Sequence, residues 1–335
     1  MDKKYLIIYH NEDNDGLFSA SIFYYYLIHQ LHVLKEDIIL FGANYNMLSE
    51  YSKENSVEDL HNKFSNIIMV DISFNDVKYM KSLWKEFKYN FIWCDHHKPI
   101  IDESFKNRFD DIPGIRDTTR SAILCVYKFL YDQFDEKYND KTIPELLRVL
   151  SAWDSWTYER EGYEFDYVKN INKAITILYK LDFQEIYKLT EFIFHEKTLI
   201  DLDYYNNYGD VLNRYDDIVM ENIIKTSGDC SWKVRFYDED KGRPLYHSAC
   251  AIFHQGATNS TMFKSLKRKG INHGLVFKHQ PNGNWVLSMY NVSEDEWTHC
   301  GEFLKERYNG GGHKGAAGCT LTEDQFINIL KDKIL

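Results

Sequence analysis

Four short apolar runs in the first third of the chain each stop at a conspicuous residue. Tyr5-Leu6-Ile7-Ile8-Tyr9 ends at His10 and Ile38-Ile39-Leu40-Phe41 runs into Gly42. Asn66-Ile67-Ile68-Met69-Val70 ends at Asp71, and Phe91-Ile92-Trp93-Cys94 ends at Asp95-His96-His97. Runs of this length and β-branched or aromatic content predict buried strands. Between them, apolar positions at helical spacing predict helices over 17–34 and 75–88. Strand, loop, helix in alternation is the pattern of a doubly wound, mostly parallel α/β domain. Right-handed crossovers put His10, Asp71 and Asp95 on one edge of such a sheet. That carboxyl edge is where open α/β sheets take their ligands.

Farther along, the pattern predicts helices over 121–134 and 143–153, the second leading into Asp154, and then a mixed stretch to 182. A segment with apolar residues at helical spacing and an acidic face, 183–215, reads as a connector. Beyond it, strands are predicted over 233–237 and 249–253, and a helix over 260–267. The strands 274–278 and 285–289 flank the hairpin turn Pro281-Asn282-Gly283-Asn284. A last helix, 294–308, leads to Asn309-Gly310-Gly311-Gly312-His313-Lys314. The domain reading is therefore 1–182 for a catalytic α/β domain, 183–217 for a helical connector and 218–335 for a smaller α/β domain.

Composition narrows the class. At 335 residues the chain has room for two cores, and 44% hydrophobic with 27% charged residues is ordinary for a soluble globular protein. No apolar stretch approaches the roughly 18 residues of a membrane span, and the N-terminus is too soon interrupted for a signal peptide. Six cysteines without a Cys-x-x-Cys pair favour reduced thiols and a cytoplasmic setting. A formal net charge of −11 argues against coating long duplex nucleic acid and leaves room for short phosphorylated substrates.

The loop His10-Asn11-Glu12-Asp13-Asn14-Asp15-Gly16 holds three acids and one glycine. A phosphate-cradling loop in this place would be glycine-rich with a lysine, so this one suits cations. Turn-forming and helix-capping would account for any single member of the set, less easily for all of it with His10. Asp154 stands between Trp153 and Trp156, and a buried carboxylate needs a partner or a metal. Together His10, Asp13, Asp15, Asp71, His96, His97 and Asp154 are a carboxylate–imidazole set suited to Mn²⁺, with Mg²⁺, Fe²⁺ or Co²⁺ as competitors. They are enough for two ions sharing one carboxylate, the usual device for in-line attack on phosphorus. Arg116 and Arg120 precede a helix start, where they either bind phosphate or pair with neighbours such as Asp117. The glycines before His313 let the backbone approach an anion closely.

In this order over nearly the whole chain, these motifs resemble the DHH phosphoesterases, in their nanoRNase-like and RecJ-like branch. His10-x-x-Asp13-x-Asp15 is similar to the first motif, Val70-Asp71 to the second, Asp95-His96-His97 to the name motif and Asp154 to the fourth. Gly310-Gly311-Gly312-His313 resembles the signature of the associated C-terminal domain. The resemblance implies an active site in the cleft between two domains. It implies one Mn²⁺ on His10 and Asp13, another on Asp15, His96 and Asp154, and Asp71 bridging. It casts His97 as a substrate-facing catalytic residue oriented by Asp95, and Gly311, Gly312 and His313 as the substrate grip. Many relatives carry Ser-x-Arg before the glycine motif; here Ser288-Met289-Tyr290 lacks the arginine, and Tyr290 either stacks on a base or fills the core.

The resulting expectation is a Mn²⁺-dependent phosphoesterase acting on short oligonucleotides or on a small nucleotide such as 3′-phosphoadenosine 5′-phosphate, as a monomer or homodimer. Cyclic dinucleotide cleavage, single-strand DNA exonuclease action and pyrophosphate hydrolysis are the alternatives. Lys267-Arg268-Lys269 is a faint echo of the basic cluster that pyrophosphatases use. A non-catalytic nucleotide sensor is the alternative from another class, and the full set of ligands argues against it.

Overall fold

The structure, a computed structural model, describes residues 4–98, 101–102, 111–131, 143–195, 200–238, 242–256, 260–292, 299–312 and 314–335. His313, the ends of two expected helices (132–134 and 294–298) and 196–199 of the expected connector lie outside these residues. The chain divides into two compact units, Met1–Leu212 and Asn213–Leu335.

The first unit is built on four parallel strands, β1 (Tyr5–His10), β2 (Ile38–Ala43), β3 (Asn66–Val70) and β4 (Phe91–Cys94), in the order β2-β1-β3-β4. Register pairs Tyr9 with Val70 and Val70 with Cys94, so the strand ends are level. Successive side chains point to opposite faces, and both faces are buried. Ile7, Tyr9, Ile68, Val70 and Cys94 face one core. Leu6, Ile8, Ile67, Met69, Phe91 and Trp93 face the other. This is the doubly wound arrangement that the continuous apolar runs require.

The second core is covered by α2 (Tyr45–Glu54), α3 (Val57–Lys63) and α4 (Val77–Phe87). The first is covered by α1 (Asn14–His29), α5 (Ala122–Tyr131), α6 (Glu145–Asp154), α8 (Phe165–Tyr179) and α9 (Phe183–His195), with the short α7 (Tyr158–Glu161) between α6 and α8. Residues 183–195 thus belong to the first core and not to a connector. Phe183, Ile186, Tyr187, Leu189 and Ile193 are buried there, and Ser21 Oγ donates to Thr190 Oγ1 at 2.7 Å across α1 and α9. The division between the units falls inside α10 (Leu202–Ser227).

The second unit is a six-stranded mixed sheet: β5 (Asp229–Asp238), β6 (Arg243–Phe253), β7 (His273–His279), β8 (Trp285–Asn291), β9 (Gly311–Gly312) and β10 (Ala316–Leu321). Its order is β5-β6-β7-β8-β10-β9, parallel only between β6 and β7. α11 (Cys300–Tyr308) and α12 (Glu323–Asp332) cover one face, and the 3-10 helix Ser260–Lys269 covers the other. Past the glycine run, Ala316–Leu321 is a strand paired to β8, with Ala317, Cys319 and Leu321 turned inward.

Candidate metal centre

Three strand ends and two helix ends meet at the carboxyl edge of the first sheet. His10 closes β1, and Asp71 and Asp95 follow β3 and β4. Asp13 caps α1, accepting from Gly16 N at 2.9 Å, so the helix begins at Asn14 and carries Asp15 in its first turn. Gly16 is obligatory: a Cβ there would sit 2.1 Å from His10 O. Asp154 is the last residue of α6. Asp71 has a left-handed backbone (φ 58°), a conformation costly for a residue with a Cβ and concentrated at functional sites.

Asp71, 1% exposed, reaches two groups. Its Oδ2 is 3.6 Å from His10 Nδ1, which is itself 2.7 Å from Asp13 Oδ2. Its Oδ1 is 3.3 Å from His96 Nε2, which also lies 3.5 Å from Asp15 Oδ2 and 3.3 Å from Asp154 Oδ2. His10, Asp13 and Asp71 thus form one set of converging donor atoms, and Asp15, His96 and Asp154 another, each within 4.8 Å of one another. Asp71, His96 and His97 converge similarly.

The residues fit divalent cations. Asp71 Oδ1 and Asp154 Oδ2 are buried with no hydrogen-bond partner among the described residues, an arrangement that needs an electrophile to be stable. Burial, then the nearby Asp15, pushes both carboxyls well above the usual range. His10 also shifts upward, but towards its charged form: burial disfavours its charge, and Asp13 and Asp71 outweigh it and push the imidazole up to about 11. A metal ion bound among these carboxylates would displace that proton.

Asp95 does different work. Fully buried, its Oδ1 accepts from the amides of His96 (2.7 Å) and His97 (3.1 Å) and pairs with His97 Nδ1 at 2.8 Å. Its Oδ2 accepts from Trp93 Nε1 at 3.0 Å. Burial opposes its charge, yet His97 holds it below the ordinary carboxylate range. Asp95 therefore fixes the turn that presents the two histidines.

The two arginines part company. Arg116, expected as a phosphate ligand, donates to Trp93 O at 3.0 Å and Ile112 O at 2.8 Å and lies over the Trp93 ring, so it braces β4. The start of α5 is likewise occupied: Ala122 N and Ile123 N donate to the two oxygens of Asp15, each at 2.8 Å. The helix end that would have held a phosphate holds the Asp15 carboxylate. Arg120 pairs with Asp117 at 2.7 Å and lines a cavity of about 190 Å³ with Arg148 and Arg160.

Several neighbours went unnoticed in the sequence. Tyr45 sits between His10 and His97, 6.2 Å from each ring. Asn14, Trp153, Asn172 and Thr176 line a cavity of about 170 Å³ beside Asp13, Asp15 and Asp154. Asn14 Nδ2 donates to Asn172 Oδ1 and Thr176 Oγ1 there. Trp156 is 60% exposed, stacked on Trp153. In the second unit, Gly312 has φ 140° and no room for a Cβ, which would meet Ala316 O at 2.6 Å; Gly311 is exposed. Tyr290, 8% exposed, packs on Phe263 and so fills the core.

Against known proteins, the model of the DHH family, N-terminal domain, matches residues 4–152. Residues 4–152 are a DHH-family domain. The chain is 26% identical over 340 residues to an uncharacterized protein of Acanthamoeba polyphaga mimivirus, covering 96% of this chain and 68% of that one. Among solved structures it is similar to PggH, a pGpG-specific phosphodiesterase from Vibrio cholerae, with TM-score 0.51 and 14% identity over 98% of this chain and 97% of that one. Exonuclease RecJ bound to manganese gives TM-score 0.48 and 14% identity over 99% and 89%. The PggH likeness extends the shared fold beyond the DHH domain. No helix among the described residues is long and apolar enough to cross a membrane.

Proposed function

We propose that this DHH-family phosphoesterase hydrolyses phosphodiester bonds of short oligonucleotides, or the phosphate of a small nucleotide, with two divalent cations, Mn²⁺ foremost. The observation that carries the reading is Asp71, whose two oxygens face two separate donor sets. His10 and Asp13 would hold one cation, Asp15, His96 and Asp154 the other, with Asp71 shared. Bound there, the cations supply an activated water and neutralise charge on the phosphoryl group. The rest is the protein's own work. The α5 amides keep Asp15 in place, and Asp95 orients His97 and keeps its imidazolium available beside the reacting phosphate. The 170 Å³ cavity beside Asp154, with Asn14, Asn172 and Thr176, offers hydrogen bonds to a sugar or base. Arg120, with Arg148 and Arg160, is the cationic candidate for further phosphates, and Gly311, Gly312 and His313 are the substrate contacts assigned by motif.

The test is a substrate panel with Mn²⁺: two- to five-residue RNA and DNA, pGpG, 3′-phosphoadenosine 5′-phosphate, cyclic dinucleotides and pyrophosphate. Turnover of the short linear substrates is expected, abolished by EDTA and restored better by Mn²⁺ than by Ca²⁺. Equal turnover in excess EDTA would defeat the two-cation reading, and no turnover of any member would defeat the substrate class.

A further inference from the structure

α1 carries Asp15 in its first turn and ends at His29, a helix of 16 residues and about 24 Å long at 1.5 Å per residue. At that remote end α9 contributes Glu191 and His195, four residues apart and so on one face of the helix. The two helices are held in register by the Ser21–Thr190 hydrogen bond, by Tyr24 edge-on to Phe183 and Tyr187, and by Tyr25 stacked on Phe194.

This packing brings ligand atoms of His29, Glu191 and His195 within 4.8 Å of one another. His29 Nε2 is 3.5 Å from Glu191 Oε1. The His29 and His195 rings meet edge-to-face, centroids 4.7 Å apart at 86°. The Tyr25 ring makes a wall, 4.3 Å from His29 and 5.4 Å from His195. Tyr187 donates its hydroxyl to Glu191 Oε1 at 2.7 Å and stands 3.3 Å from His29 Nε2.

We infer that His29, Glu191 and His195 form a second metal site, for Zn²⁺, separate from the DHH centre. Two imidazoles and a carboxylate, with a fourth place for water, are a zinc donor set, while the four-aspartate centre at the other end of α1 suits Mn²⁺ or Mg²⁺. Tyr187 does for Glu191 what outer partners do for metal ligands generally, fixing the carboxylate's rotamer. His29 closes α1, so the C-terminal end of that helix's macrodipole lies here and favours a cation. The ion ties the tail of α1 to α9 and so braces the helix whose head presents Asp13 and Asp15.

The test uses the full chain carrying Asp71→Asn, which disables the DHH centre, stripped of metal and titrated with Zn²⁺ by calorimetry and with Co²⁺ by visible absorption. Adding His195→Ala should remove one Zn²⁺ equivalent per chain, the bands of four-coordinate Co²⁺, and the rise in melting temperature on adding Zn²⁺. Glu191→Gln, which keeps a hydrogen-bond acceptor for Tyr187, should weaken Zn²⁺ by at least about tenfold. Identical Zn²⁺ stoichiometry and Co²⁺ spectra with and without His195→Ala would overturn the site. The phosphoesterase reading is independent of either result, because its centre is disabled throughout.

Discussion

In the first unit His10 and His96 sit among Asp13, Asp15, Asp71 and Asp154; in the second, His247 and His273 sit against each other and Phe236. The second pair is stacked, rings 5.3 Å apart at 10°, with His247 Nδ1 3.1 Å from His273 Nε2. Both pairs are largely withdrawn from water, and burial alone drives an imidazole towards neutrality. That is the fate of His273, pushed down to about 3 by burial and then by His247. His10, with burial opposing it equally in sign, is carried up to about 11 by Asp13 and Asp71. The difference lies in the carboxylates. Burial holds His273 in its neutral form, whereas buried histidines among more carboxylates than they can neutralise suit metal ions.

The sharpest way to break that contrast is to remove the shared carboxylate. Asp71→Asn should lower kcat/KM on the best panel substrate by at least about three orders of magnitude, well beyond the roughly 10–100-fold typical of outer partners. In the metal-free chain the same substitution should raise the melting temperature, because one of four crowded carboxylates is gone. A variant that keeps its activity, or one that melts lower without metal, would mean the carboxylates are not held for cations.

Asp95→Asn tests the partner of the histidines in place of the ligand. The amide can still accept from the His96 and His97 backbone but no longer pairs as an anion with His97 Nδ1. A loss of about 10–100-fold in kcat is expected, with Mn²⁺ affinity changed less than by Asp71→Asn. Steady-state kinetics beside a Mn²⁺ titration separates the two effects. Equal losses in both would make Asp95 a ligand-ordering residue alone.

The legible parts of this molecule were those where one strand or one loop carries the signal. Each apolar run ending in His10, Asp71 or Asp95 is a strand with that residue at its tip or just beyond it. What escaped depended on distant partners. Asn14 and Asp15 look like loop residues, yet Asp13 caps the helix beneath them and α5 amides satisfy Asp15 from more than a hundred residues away. Arg116 has the composition of a phosphate ligand, and only the fold shows that Trp93 O and Ile112 O take its guanidinium. α9 has the acidic face of a surface helix, so its aromatic face against α1 was invisible without Tyr24 and Ser21. Ala316–Leu321 has too few large apolar residues to announce a strand and is held by its ladder to β8. Ligands spread as His29 and Glu191–His195 form no motif at all.

The smallest effect concerns the other side of the contrast. His273 is 1% exposed, and its pKa falls from 6.5 unfolded to about 3 folded. Above about pH 6.5 neither state binds a proton there, and the pair's contribution is intact. As pH drops towards 3, the unfolded chain takes up a proton that the folded chain refuses, so stability of the second unit falls by up to about 1.4 kcal/mol per pH unit. His273→Leu removes that proton linkage. It should flatten the acid limb. Hydrogen exchange of the β6 and β7 amides between pH 7 and 4 reads this unit without the first. If the native chain and the variant lose protection in parallel as pH falls, His273 is already charged when folded, and its contrast with His10 fails.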